Sequence, residues 1–342
     1  MISAQDNNIY VYEQINNDEI RLLRVWGQYS VLTIPQKIGE QTVTVIGAYC
    51  FAPASKLSEE LEQECANYLR EHALKDSYRT IAGDFLCRII LPDSVRCLES
   101  YVFYNCRELE EITAGAALRE VNGDALMNCR KLGRLKLRES VDRPTGLSFL
   151  LGQITSEIEV VFQKGDVRLV YPEFSESYEE IGPAHIFHLQ VEGEGFRARN
   201  QFQSGVVDLA GYDQVFENAV RTESAQTLIR MASDRLCYPA DIKEAHRLQY
   251  EVYLRAHEQE WMRMLVQNQD EETMEAAGKQ GLISNQAREY AVQEAAASGW
   301  IRGSAALLRG AAQRRSVIAH PDELRPDGIQ DAPTDVEDEY NF

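Results

Sequence analysis

Basic charge is in short supply in this chain. Thirty-five Lys and Arg stand against 54 Asp and Glu, a net charge of −19. Nucleic acid and anionic membrane both call for a basic footprint, so neither is expected as a partner. Long apolar runs are also missing. No stretch reaches the about 18 consecutive apolar residues of a membrane span, and the opening MISAQDNNIYVYEQ is too polar for a signal peptide. The seven cysteines, Cys50, Cys65, Cys87, Cys97, Cys106, Cys129 and Cys237, form no CxxC pair. That spacing excludes the usual zinc sites and, with the odd count, fits a reducing cytoplasm. GxSxG, HExxH and GKS/GKT motifs are absent, and GEGFRARN at 193–200 lacks the third glycine of a dinucleotide loop. His185 and His188 are three apart in a strand-like run, so they point to opposite faces and cannot share an ion. No catalytic residue, cofactor or metal site is expected.

What is present is a repeat. Val95 to Ala117 reads VRCLESYVFYNCRELEEITAGAA, and Leu118 onward reads LREVNGDALMNCRKLGRLKLRES. A shift of 23 residues superposes Val95 on Leu118, Leu98 on Val121, Phe103 on Leu126, Leu109 on Leu132 and Ile112 on Leu135. Asn105-Cys106 falls on Asn128-Cys129, and Ile89-Ile90-Leu91 falls on Ile112-Thr113-Ala114. Such a period marks a leucine-rich solenoid, whose units bury their apolar sides only by stacking. A looser copy runs from LTIP at 32–35 through VTVIGAYCF at 43–51. Ile46 and Phe51 precede Leu98 and Phe103 by 52 residues, one repeat plus 29, so an insertion is expected after Phe51.

LTIP, VTVIGAYCFA, IILPDSV and YVFYNCRELEEI resemble the BspA-like class of bacterial leucine-rich repeats over about residues 30 to 140. The resemblance implies an α/β repeat fold with a parallel sheet, and protein-binding surfaces with many unrelated partners.

Around the repeats the pattern changes. IYVYEQI and IRLLRVW, joined at Asn16-Asn17-Asp18, read as a hairpin capping the first apolar layer. In the insertion, Leu57, Leu61, Cys65 and Leu69 follow helical spacing, with Ser55 or Ser58 as N-cap. Strands are expected at 158–162, 166–171 and 184–191, and Arg197 and Arg199 are read on one strand face. From Asn218 the period turns helical. Asp241 and Glu244 suggest a capping box, with Ile242, Ala245, Leu248 and Val252 on the inward face. Asp270 and Ser284 cap later helices and Gly281 and Gly299 end them. Gly281-Leu282-Ile283 and Gly299-Trp300-Ile301 resemble ankyrin-type turns, without TPLH or a 33-residue period. Pro321 to Phe342 holds eight acidic residues and one Arg, a composition that does not order itself.

The expected architecture is a leucine-rich solenoid with a parallel sheet, then an all-α helical-hairpin module and a disordered acidic tail. The segments are a β cap at 1–30, repeats at 31–156 with a helical insertion at 53–82, and a β-rich stretch at 157–215. An ankyrin-like helical module follows at 216–312, and the tail at 313–342. The expected function is a non-catalytic scaffold that binds another protein in the cytoplasm. Its binding face is read as two outward columns one repeat apart: Arg88, Glu111 and Arg134, and Ile90, Thr113 and Lys136. The alternatives are an enzyme with its site in 157–215, or a surface adhesin if a leader precedes this start.

Overall fold

The 23-residue period becomes strand register. The computed structural model describes residues 1–74, 77–181 and 186–319, and the acidic block from Pro321 lies outside them. The described residues divide into two compact units, the first ending at Trp261 and the second beginning at Met262.

The first unit opens with β1 (Ile2–Gln5), β2 (Asn8–Gln14) and β3 (Glu19–Gly27), an antiparallel meander whose second turn holds Asn16 to Asp18. Then come β4 (Val31–Thr33), β5 (Lys37–Ile38), β6 (Gln41–Ile46), helix α1 (Glu59–Glu71) and β7 (Arg79–Thr80). The repeats supply β8 (Arg88–Ile90), β9 (Cys97–Leu98), β10 (Glu111–Ala114), β11 (Glu120–Val121) and β12 (Arg134–Ser140). Each repeat gives one strand to each of two sheets. The first sheet runs β1-β2-β3-β6-β9-β11, and the repeat part of the second runs β12-β10-β8-β4. In the second, β8, β10 and β12 are parallel, with Ile89, Ile112 and Leu135 in register. These three, with Leu98, Leu109 and Leu132, are buried, as the period predicts. Ile46 pairs with Leu98, so the 52-residue offset is real. The insertion carries α1, capped by Ser58, whose hydroxyl accepts from the Leu61 N–H, and Cys65 is its buried contact.

The second sheet does not stop at the last repeat. After α2 (Leu147–Leu151), β13 (Ile158–Lys164) joins β12 in parallel, and β14 (Val167–Tyr171) turns back antiparallel. The free edge of β14 is sealed. The Tyr212 hydroxyl donates to the Val170 carbonyl at 2.6 Å and accepts the Val170 N–H at 3.1 Å. A hairpin of β15 (Ser175–Ile181) and β16 (Ile186–Glu192) follows, then α3 (Gly195–Arg199), β17 (Phe202–Gln203) and β18 (Val206–Val207). Residues 195–199 are therefore a short helix, not a strand, and Arg197 and Arg199 part company. Arg197 is exposed beside Glu194, while Arg199 is buried and donates to four backbone carbonyls.

Helices begin earlier than the change of period suggests, with α4 (Leu209–Thr222), α5 (Ala225–Cys237), α6 (Glu244–Ala256) and α7 (Glu258–Gln267), the last entering the second unit. A buried Asp213–Arg235 pair joins α4 to α5 through bonds of 2.7 and 2.8 Å, and the Tyr250 hydroxyl of α6 donates to the same carboxylate. That contact decides which side of α6 faces inward. Tyr250 and Leu254 are buried, whereas Leu248 and Val252 are 58% and 62% exposed. The expected inward face is thus the outward one, because a tyrosine that reaches a buried carboxylate outweighs the aliphatic stripe. The capping box also fails to form: Lys243 is the N-cap and makes no side-chain bond, and Asp241 has φ +42°.

In the second unit, α8 (Glu271–Gln280), α9 (Asn285–Ala297) and α10 (Ile301–Ala319) pack together. Asp270 and Ser284 cap α8 and α9 through Thr273 and Ala287, and Gly281 ends α8 at φ +71°. Helices α8 and α10 meet closely at Gly310, where a Cβ would come within 2.4 Å of the Glu275 carbonyl. Arg309 of α10 bonds Glu271 and Glu275 of α8. Helix α10 continues to Ala319, past the end near Ala312 that the sequence suggests.

Candidate interaction face

The outward side chains of the second sheet form two rows. Parallel register places Val31, Arg88, Glu111, Arg134 and Glu159 in one, and Thr33, Ile90, Thr113, Lys136 and Val161 in the other. Antiparallel β14 extends them by Val170 and Arg168. All six residues expected from the sequence therefore lie on one face, in the two columns their spacing assigns.

Their environments differ along it. The Arg134 guanidinium bonds Glu159 at 2.7 Å and approaches Glu111 at 3.9 Å, and the Lys136 ammonium sits 3.0 Å from Glu111. Burial draws the Arg134 pKa down, but Glu159 and then Glu111 outweigh it and hold it above its ordinary value. The charge ladder is thus Lys136–Glu111–Arg134–Glu159. Arg88, in the same column as Glu111 and Arg134, turns instead to Glu110 at 3.5 Å and stays exposed. Thr113, expected outward, is only 5% exposed, being a short side chain between Ile90 and Lys136. Ile90 is half-buried.

The face is closed at one end. Arg168 stacks over the Tyr238 ring at 3.9 Å, α5 packs on β14, and Glu159, Val161 and Val170 are buried. At the other end, Val31 and Thr33 of β4 are exposed beside β8 and its Arg88, and Tyr29, two residues before β4, is exposed as well. Ser30 and Ile34 direct their backbone groups to β8, which leaves those of Val31 and Thr33 on the outer edge. Val31 and Tyr29 are not among the residues expected on this face; their signal is a β-branched residue on the first strand of the sheet and a tyrosine two residues before it.

Residues 157–215 hold carboxylates that converge without forming a metal cluster among the described residues. Glu157 takes bonds from Thr227 and Arg230, Glu194 from Arg197, and Glu223 accepts the Glu194 N–H at 2.6 Å. Burial, offset by that N–H and reinforced by Glu194, Glu157 and Glu173, raises the Glu223 pKa. These groups tie loops to the helices. His185 lies outside the described residues, and His188 is exposed on β16. Among the described residues no helix is long and apolar enough to cross a membrane.

Comparison with known families places the repeats. Residues 83–160 match the BspA type leucine rich repeat region, in six copies. No curated protein matches the chain. Among solved structures, a leucine rich cell surface protein of Faecalibacterium prausnitzii A2-165 is 15% identical, over 40% of this chain and 33% of its own, with a TM-score of 0.27. The pneumococcal vaccine antigen PcpA is 19% identical, over 42% of this chain and 40% of its own, at 0.24. The T. pallidum leucine rich repeat protein is 17% identical, over 37% of this chain and 68% of its own, at 0.22. The chain thus spans about a third of the first of these proteins and two-fifths of the second.

Proposed function

We propose that this chain, whose residues 83–160 are BspA-type leucine-rich repeats, is a non-catalytic protein-binding scaffold built on a repeat solenoid. The open end of the second sheet is its contact surface. The carrying observation is the asymmetry of that sheet. Its β14 edge is bonded by Tyr212 and its last strands are covered, whereas Val31 and Thr33 of β4 and Arg88 of β8 are exposed at the other end, with exposed Tyr29 two residues before β4. Tyr and Arg are the residue types enriched at the energetic centres of interfaces. Arg134, Lys136 and Glu111 stand beside this patch and neutralise one another, so they shape the surface more than they bind. A reducing cytoplasm is the setting we assign, supported by Cys50, Cys106 and Cys129 serving as buried thiols.

The test is affinity purification of the full chain from its native cell, with mass spectrometry, comparing wild type with Arg88→Glu and with Glu111→Arg/Lys136→Glu. A specific protein should be retained by wild type and lost with Arg88→Glu, while the double change has the smaller effect. Equal capture by all three forms contradicts the assignment.

A further inference from the structure

The β15–β16 hairpin forms a sheet of its own and pairs with no other strand among the described residues. Its register makes it amphipathic. Tyr178 opposes Leu189 and Glu176 opposes Val191 on one side, while Ser175 opposes Glu192 and Ser177 opposes Gln190 on the other. An antiparallel ribbon with that alternation normally buries its apolar side. Here the side chains of residues 175–178 and 188–192 are all exposed, with Tyr178 at 69%, Leu189 at 41% and Val191 at 37%.

The ribbon is firmly rooted. The buried Arg199 guanidinium donates to the carbonyls of Pro172, just before β15, and Gly195, just after β16, and also to those of Ile154 and Ser156. Phe174 and Phe196 meet edge to face at 5.6 Å across the base. Gly193, at φ +89°, lets the returning strand pass where a Cβ would come within 2.6 Å of the Glu173 carbonyl. A two-stranded ribbon is marginal by itself, yet this one is presented from a fixed base.

Charge identifies what covers it. Residues 172–196 contain six Glu and neither Lys nor Arg. A second copy docking ribbon to ribbon would bring Glu176 and Glu192 against like charges, which costs affinity. Nucleic acid and anionic lipid are repelled in the same way. We propose that the ribbon is a docking arm whose Tyr178–Leu189–Val191 side is buried by a partner protein surface that is apolar at its centre and rimmed by lysine or arginine. This arm is separate from the sheet face and stands whether or not that face binds.

The probe is a synthetic β-hairpin peptide with Val and Leu on one side and Lys at its flanks, and the control carries Ser in place of Val and Leu at equal charge. Binding to the full-length protein is read by fluorescence anisotropy at low and physiological salt, and the contact is located by hydrogen exchange. Wild type should prefer the apolar probe by about tenfold, with slowed exchange on β15 and β16. Tyr178→Ser/Leu189→Ser/Val191→Ser should bring that ratio close to one with an unchanged melting temperature, since these side chains are already in water. Glu176→Lys/Glu192→Lys should keep the apolar preference and transfer it to a Glu-flanked probe. Equal binding of the apolar and Ser probes by wild type overturns the proposal. So does self-association of wild type in sedimentation velocity that the triple substitution abolishes, which would make a second copy the occupant.

Discussion

The rings of Phe51 and Phe103 stack with centroids 5.3 Å apart and planes 7° from parallel, although 52 residues of chain separate them. Both are fully buried. Above them Tyr49 and Tyr101 stack at 5.0 Å, each with a left-handed backbone, and Asp124 takes the same conformation one repeat on. The thiols follow the same ladder: Cys106 donates to the Phe51 carbonyl and Cys129 to the Phe103 carbonyl, both at 3.2 Å. One turn geometry is thus copied three times, and the interior is its stacked side chains. Phe103 sits in the middle copy, so Phe103→Ala removes contacts on both sides. A loss of ~3–5 kcal/mol is expected, measured by urea unfolding. A midpoint within error of wild type would show that the ladder does not carry the stability of this unit.

The free edge of β14 makes a second expectation. Tyr212→Phe keeps the ring against Tyr171 and removes only the hydroxyl that serves both backbone groups of Val170. Two buried polar groups are then unpartnered, at about 1–3 kcal/mol each. Hydrogen exchange at Val170 should accelerate more than at Ile112, deep in the same sheet. Equal acceleration at both would mean the hydroxyl acts on the whole fold and not on the edge.

The repeat was legible because it is carried by identity of position. Ile89, Ile112 and Leu135 recur at a fixed 23-residue spacing, which is the pattern of stacked leucine-rich repeats. The hairpin turn at Asn16 to Asp18, the Ser58, Asp270 and Ser284 caps and the Gly281 stop were readable for the same local reason, since each satisfies backbone groups next to it. The two misread facings, of α6 and of residues 195–199, depend on distant partners. The facing of α6 is set by the bond from Tyr250 to Asp213, a contact between helices that no period encodes. Residues 195–199 turn helical where Arg199 reaches carbonyls as far away as Ile154. On the sheet face the columns were legible and their chemistry was not. Register follows from spacing, but Arg88 choosing Glu110 and Tyr238 covering Arg168 follow from side-chain packing.

The thiols link stability to pH. Burial pushes the Cys129 thiol up to about 12 from its ordinary value of 9.0, and raises Cys106 in the same direction. The folded state therefore favours the neutral thiols. Their contribution is fully present below pH 9.0 and is lost as pH rises toward 12, because the unfolded chain ionises first. Alkylation of the native protein at neutral pH should leave Cys106 and Cys129 unmodified until denaturant is added. Serine at both positions should flatten the loss of stability between pH 9.0 and 12. An unchanged pH profile in that variant would assign the alkaline loss to other groups.

The sheet face is tested most directly by site-specific photo-crosslinking in the native cell. A benzophenone amino acid is placed at Arg88 on the open end of the face, and separately at Met127, an exposed turn residue away from both rows. A discrete protein adduct of defined mass is expected from position 88 and not from position 127. Adducts of equal yield from both positions, or from 127 alone, would contradict a binding surface at the β4 end of the sheet.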